Sequence, residues 1–365
     1  MKIAIVHDWL VTNGGAEKVL KEILEIFPNS EIFTLVDFLD EKEKRDILNN
    51  KKVNTSFIQN LPFAKKHFRN YLPLFPKAIE SLDLSNYDLI ISSSWAFAKG
   101  IKKNKNQLHI SYCHTPIRYA WDLYEEYTKP LNQPKKFLVQ KTLKYIRKWD
   151  KKTANRVDCF IANSNFVKKR IERIYNRNST VIYPPADNKK FTLSTIKEDF
   201  YLTAARLVSY KKTKLIVESF NKMPDKKLIV IGKGEEYKIL KKIAKSNIQI
   251  LGYQSDEKLI KYMQKAKAFI YAAVEDFGIV PVEAMLCGTP VIALNEGGTA
   301  ESVQDNITGV LFEKQTEEDI IKAVNKFEKL KFDSSLIRNN ALKFSKENFK
   351  YQFKKVIDEI YKKNF

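Results

Sequence analysis

Cysteine is scarce in this chain of 365 residues, where Cys113, Cys159 and Cys287 are the three. Each stands in an apolar context and none is spaced as a pair, so neither a disulfide framework nor a zinc site is suggested, and all three read as core thiols. No apolar stretch reaches the roughly eighteen residues that a membrane span needs. No secretory leader is expected, because Met1 and Lys2 run straight into the short strand-like Ile3 to Val6 rather than into a longer apolar segment with a small-residue cleavage site. The expectation is a soluble or peripheral protein, made and retained in the cytoplasm. No repeat of about 20–50 residues and no low-complexity tract is evident, so a repeat architecture is not expected.

What is present is globular in composition: 44 % hydrophobic and 29 % charged residues, in a chain long enough for two domains of ordinary size. Lys and Arg outnumber Asp and Glu by 64 to 43, a net charge of +21. Such an excess calls for an anionic partner, whether nucleic acid, phosphorylated substrate or acidic lipid. A lysine-rich surface that merely keeps the protein soluble accounts for the total equally well, so clusters carry more information.

Strand-like apolar runs alternate with helical periodicity along the chain. Ile3 to Val6 precedes a helical Ala16 to Ile26; Leu89 to Ser92, His109 to Cys113 and Cys159 to Ala162 follow, the last before a helical Phe166 to Ile174. After Tyr183, Pro184 and Pro185 the pattern restarts with Tyr201 to Ala204, a helix near Lys214 to Asn221, then Leu228 to Ile231, Ile248 to Leu251, Phe269 to Ala272 and Val291 to Leu294. This is the βαβ alternation of parallel sheets, and it predicts an α/β protein of two doubly wound domains, 1–186 and 187–344. The prolines make the linker a candidate hinge. The last segment, 345–365, reads as a basic amphipathic helix with Phe349, Phe353, Val356 and Ile360 on one face; it is expected to pack back on the first domain.

Candidate chemistry gathers where strands end. Glu275 and Glu283 flank a glycine turn that leaves the strand-like Ala268 to Ala272 and enters a helix, at the carboxyl edge where open α/β sheets bind ligands. Read alone, such a pair caps a turn and faces solvent; its neighbours change that. Arg206 and Lys211 follow the first strand of the second domain, and two fixed cations there suit a diphosphate: a bidentate fork plus a mobile point charge that together neutralise a leaving group. The turn around Gly232 lets backbone approach a ligand but is not a Walker loop. Asn13 to Lys18 joins the opening strand to its helix, where Gly14 and Gly15 leave N–H groups bare for an anion or a sugar. Its spacing is not Gly-x-Gly-x-x-Gly, which disfavours a dinucleotide. His114 ends another strand and is placed to hydrogen-bond a substrate hydroxyl or phosphate, unless its own loop satisfies it.

Two further stretches mix aromatic and basic side chains: Phe57 to Lys77, and Lys135 to Arg156 with nine Lys or Arg against one acid. They suit the headgroups of an anionic membrane or a single nucleic-acid strand. Leu138, Tyr145 and Trp149 share a helical face, so a core face with a wet opposite face is the plainer alternative.

Taken in order, these elements resemble the family 4 retaining glycosyltransferases of the GT-B fold, over essentially the whole chain: Gly14 to Lys18, His114 to Pro116, Tyr183 to Pro185, Arg206 with Lys211, and Glu275 with Glu283. Shorter stretches, His7 to Leu10, Arg69 to Pro76 and Tyr112 to Trp121, are similar to the O-antigen type mannosyltransferases that use GDP-mannose. The resemblance implies two Rossmann-like domains facing a central cleft, the first for the acceptor and the second for a nucleotide-sugar donor. It implies that Arg206 and Lys211 bind the donor diphosphate, Glu283 the ribose, and Glu275 with the backbone of Phe277, Gly278 and Ile279 the sugar hydroxyls, with Gly232 nearby. Gly15 and His114 would border the reaction centre, with Gly14, His114, Arg118 and Tyr119 towards the acceptor; His114, Glu275, Arg206 and Lys211 form the implied catalytic set. Configuration would be retained, the leaving phosphate deprotonating the acceptor on the same face, without protein nucleophile, metal or cofactor. The implied acceptor is a lipid-linked saccharide of cell-surface polysaccharide or lipopolysaccharide synthesis, reached from the inner face of the cell membrane. A UDP-sugar donor and a nucleotide-sugar epimerase are alternatives; the ordered donor motifs argue against a nucleic-acid partner.

Overall fold

The computed structural model describes residues 1–129 and 132–364; of the ranges read from sequence, residues 130 and 131 of 1–186 and the end of 345–365 lie outside it. The chain divides into two compact units, Met1–Tyr183 with the segment from Phe349 onward, and Pro184–Asn348. The division thus falls at Tyr183 and Pro184 rather than after residue 186. The first turn of the final helix, Lys346–Asn364, stays with the second unit while the rest joins the first.

The first unit is built on a parallel sheet of β1 (Ile3–His7), β2 (Glu31–Thr34), β3 (Val53–Thr55), β4 (Leu89–Ser94), β5 (Leu108–Cys113), β6 (Cys159–Ala162) and β7 (Ser179–Val181), in the order β3-β2-β1-β4-β5-β6-β7. Alternation along the strands feeds two cores. Ala4, Val6 and Ile90 face a layer containing Phe68, Phe75, Ile146 and Trp149. Ile5, Leu89 and Ile91 face the opposite layer, where Val19, Leu20 and Ile23 of the helix Gly15–Ile26 meet Phe349, Phe353 and Ile357 of the final helix. Val356 and Ile360 pack at the edge of that layer.

The second unit carries β8 (Tyr201–Ala204), β9 (Leu228–Ile231), β10 (Ile248–Gly252), β11 (Ala268–Tyr271), β12 (Val291–Leu294) and β13 (Gly309–Phe312), again all parallel, in the order β10-β9-β8-β11-β12-β13. Val230, Ile270, Ile292 and Val310 pack against Ile216 and Phe220 of the helix Thr213–Asn221 and Ile320 and Val324 of the helix Glu317–Phe327.

Two sequence readings change here. The core face of the helix Gln133–Thr153 is Leu143, Ile146 and Trp149, whereas Leu138 and Tyr145 are 66 % and 49 % exposed; the apolar positions lie on two faces, and packing selects the one a turn away. In the stretch Phe57 to Lys77, Phe68 and Phe75 are core residues. Cys113 and Cys287 are buried, and Cys159 is partly so.

One ion pair lies inside the first unit. Lys99 Nζ is 2.7 Å from Asp150, both side chains being almost wholly buried. Trp121 donates to the same carboxylate at 2.8 Å and Tyr175 at 2.9 Å. Removing one partner of such a pair strands a buried charge, which costs about 3–5 kcal/mol. Lys99→Met should therefore lower the unfolding free energy of the first unit by about that amount in urea titrations. Tryptophan fluorescence reads this unit alone, since Trp9, Trp95, Trp121 and Trp149 all belong to it. A loss under about 1 kcal/mol would show that the pair carries no stability of that size.

Candidate active site

In each sheet the strand order reverses at one point, between β1 and β4 and between β8 and β11. Crossovers leave these neighbours in opposite directions, and the crevice outside their carboxyl ends is where such sheets take ligands.

At the second reversal, the loop leaving β8 carries Arg206 and Lys211, and the loop leaving β11 carries Glu275. Lys211 Nζ forms an ion pair with Glu275 Oε1 and lies 3.3 Å from the Tyr271 hydroxyl, which donates to the same carboxylate oxygen at 3.1 Å. Burial, followed by the Glu275 charge, pushes the Tyr271 phenol well above its ordinary range, so it stays a donor. Arg206 is exposed and donates to the Tyr210 hydroxyl. Gly278, at φ +83°, ends the loop, and a Cβ there would meet Thr299 Oγ1 at 2.3 Å. The helix Ile279–Leu286 follows, with Glu283 buried in it. Phe277 packs its ring on Phe344 at 5.3 Å.

Sequence reasoning passed over the loop after β12. Gly298 N–H donates to the Glu275 carbonyl at 2.8 Å, Gly297 pairs with Glu275 as an isolated parallel bridge, and Thr299 Oγ1 is buried without a hydrogen-bond partner. The signal was a glycine pair at a strand's carboxyl end, the same one that marked Gly14 and Gly15. At Gly232, by contrast, packing itself demands glycine: φ is +149° and a Cβ would fall 1.9 Å from the Ala205 carbonyl oxygen.

At the first reversal the structure joins His114 to residues not singled out from sequence. Ser93 Oγ lies 2.9 Å from His114 Nε2 and 3.1 Å from His7 Nδ1, and His7 Nε2 is 3.7 Å from Glu17 Oε1. Glu17 Oε2 accepts from the Gly14 N–H at 3.0 Å, closing the start of the helix Gly15–Ile26. A Cβ on Gly15 would meet nothing within 4 Å, so the fold leaves open space beside this helix N-terminus. The loop after His114 is held by Arg170, which donates to Thr115 Oγ1 at 2.6 Å and pairs with Asp122. Along that loop Arg118 is half-buried, and Tyr119 packs against the core with its hydroxyl enclosed.

This chain is a glycosyltransferase of the GT-B fold. It belongs to the glycosyltransferases of group 1 and family 4, with residues 13–190 matching the Glycosyltransferase Family 4 model and 186–344 the Glycosyl transferases group 1 model. An uncharacterized glycosyltransferase of Methanocaldococcus jannaschii is 25 % identical over 99 % of both chains. The alpha-1,3/1,6-mannosyltransferase ALG2 of Mus musculus is 28 % identical over 44 % of this chain and 48 % of its own. Among solved structures, HepE of Anabaena in complex with UDP and glucose superposes with a TM-score of 0.72 at 19 % identity, covering 98 % of this chain and 99 % of that one.

Burial holds the imidazoles of His109 and His114 at about 3, far below their ordinary range. Both are therefore neutral when folded but take up protons below about pH 6.5 when unfolded. Their contribution to stability is full above that value and is lost as pH falls towards the folded values. Between pH 6.5 and 5 the loss is on the order of 2 kcal/mol per histidine, and His109→Gln should remove about half of it. Urea titrations at the two pH values measure this; a flat wild-type response would contradict it.

Proposed function

We propose that the protein is a retaining mannosyltransferase that moves mannose from GDP-mannose to a lipid-linked saccharide in cell-surface polysaccharide or lipopolysaccharide synthesis. The observation that carries the donor half is the cluster of Arg206, Lys211 and Glu275 on the loops leaving β8 and β11. Arg206, solvent-facing, grips the diphosphate; Lys211 swings from Glu275 to the same phosphates, and Glu275, with the backbone of Phe277, Gly278 and Ile279, turns to the sugar hydroxyls. Glu283 takes the ribose. As the sugar–phosphate bond breaks, the two cations offset the charge gathering on the diphosphate, so the reaction calls on no metal and no cofactor. The departing phosphate accepts the acceptor's proton, and no side chain serves as nucleophile.

In the first unit, Gly15, His114, Gly14, Arg118 and Tyr119 serve the reaction centre and the acceptor. Support for mannose comes from the ALG2 relative and from a GDP-mannose-dependent monoacylated alpha-(1-6)-phosphatidylinositol monomannoside mannosyltransferase of Corynebacterium glutamicum, 27 % identical over 45 % of this chain. A thermal-shift screen against GDP, UDP, ADP and their sugar conjugates tests the donor. GDP and GDP-mannose should raise the melting temperature, and Glu283→Ala should lose that response while melting near the wild type. A UDP preference would discard mannose, and an unaltered response in Glu283→Ala would remove Glu283 from the site.

We place the protein at the inner face of the cell membrane, bound peripherally through its two basic segments. No helix among the described residues is long and apolar enough to cross a bilayer. Phe63 is 80 % exposed at φ +56°, a conformation unusual for a bulky residue, beside Lys65, Lys66 and Arg69. The helix Gln133–Thr153 exposes Phe137 and Leu138 among Lys135, Lys136, Lys141 and Lys144. Rings flanked by cations suit the headgroup region of anionic lipid. Anionic vesicles at low salt should sediment the protein and neutral ones should not, with Phe63→Ser and Phe137→Ser together weakening the effect several-fold. Equal binding to both vesicle types would overturn the assignment.

A further inference from the structure

The polar chain at the first strand reversal determines which nitrogen of His114 holds a proton. We infer that Glu17 acts as a positioning residue for His114 at a distance, through His7 and Ser93, fixing the neutral Nε2–H tautomer and leaving Nδ1 as the acceptor. Each link has one acceptable polarity. Glu17 Oε2 is committed to the Gly14 N–H, and Oε1 faces the buried His7 Nε2 at 3.7 Å. His7 Nε2 has no hydrogen-bond partner. A lone pair there would point at a carboxylate in a buried site, whereas an N–H is attracted by it. His7 then carries its proton on Nε2, and Nδ1 accepts. Ser93 has one hydroxyl proton, which it gives to His7 Nδ1 at 3.1 Å. Its oxygen must accept from His114 Nε2 at 2.9 Å. Burial keeps His114 neutral, so Nδ1 has no proton and is suited to a hydroxyl that donates.

The consequence for catalysis rests on the reading of His114 as a reaction-centre residue; the tautomer does not. Glu17→Gln gives a sharp test. The Gly14 N–H demands an oxygen, so the glutamine amide nitrogen must take the position facing His7 and donate to Nε2. Every link then reverses, and His114 becomes the Nδ1–H tautomer.

Long-range nitrogen-15 correlation spectra of histidine-labelled full-length protein at pH 8 read both ring nitrogens of each of the four histidines. Wild-type protein should show His114 with a pyrrole-type Nε2 and a pyridine-type Nδ1, the two exchanging in Glu17→Gln. In Ser93→Ala, adding Glu17→Gln should still flip His7 but leave His114 unmoved. Wild-type His114 protonated on Nδ1 would overturn the inference without recourse to any variant. A Glu17→Gln protein in which His7 flips and His114 does not would overturn the transmission. A tautomer as inferred, in a protein that no nucleotide stabilises, would leave the relay standing and refute the donor reading instead.

Discussion

Reversal of strand order in a parallel sheet is the constraint on which both candidate centres depend. A parallel sheet covered on both faces has to be apolar along its strands, and here β1, β4, β8 and β11 are almost wholly buried. Polar side chains that are to meet a ligand then collect at strand ends. Where adjacent crossovers leave in opposite directions, the carboxyl ends stay uncovered. His7, Ser93 and His114 gather at one such point, and Arg206, Lys211, Tyr271 and Glu275 at the other.

The two collections are built differently. Lys211 and Glu275 keep 17 % and 16 % of their side-chain surface in contact with solvent, so both are within reach of other partners. His7, Ser93 and His114 are buried, and burial keeps the His114 ring neutral. Rigid surroundings maintain that order. The buried Asp8 carboxylate accepts the N–H groups of Trp95, Ala96, Phe97 and Ala98, pinning the chain just after Ser93. Burial pushes the pKa of Asp8 up, towards the neutral form, while these N–H groups act the other way. Lys99, a residue further, is anchored on Asp150. Arg170 ties the loop beyond His114 to Thr115 and Asp122. Mobile charge belongs to one unit and fixed protons to the other.

Central strands were legible in the sequence because burial on both faces makes them apolar runs, as in Leu228 to Ile231 or Val291 to Leu294. The edge strands of the first sheet were not, although the edge strand β10 of the second was. Val53–Thr55 and Ser179–Val181 are three residues each and mostly polar, since an edge strand need not be apolar throughout. The loop positions of Arg206, Lys211, Glu275 and His114 were also readable, being measured from strands that were themselves plain. Aromatic residues misled: Phe63, Phe68 and Phe75 look alike in the sequence, yet the first is exposed and the other two are core.

The sequence by itself determined the alternation of strands and helices, the division near the paired prolines and the loops that carry glutamates, cations and histidine at strand ends, because these follow from local patterns of apolarity and backbone freedom. Only the tertiary structure decided that Lys211 meets Glu275, that the Gly297–Thr299 loop backs onto Gly278, and that Glu17 connects to His114 through His7 and Ser93. Those contacts join residues tens of positions apart, and their pairing is set by strand order, which no local pattern encodes.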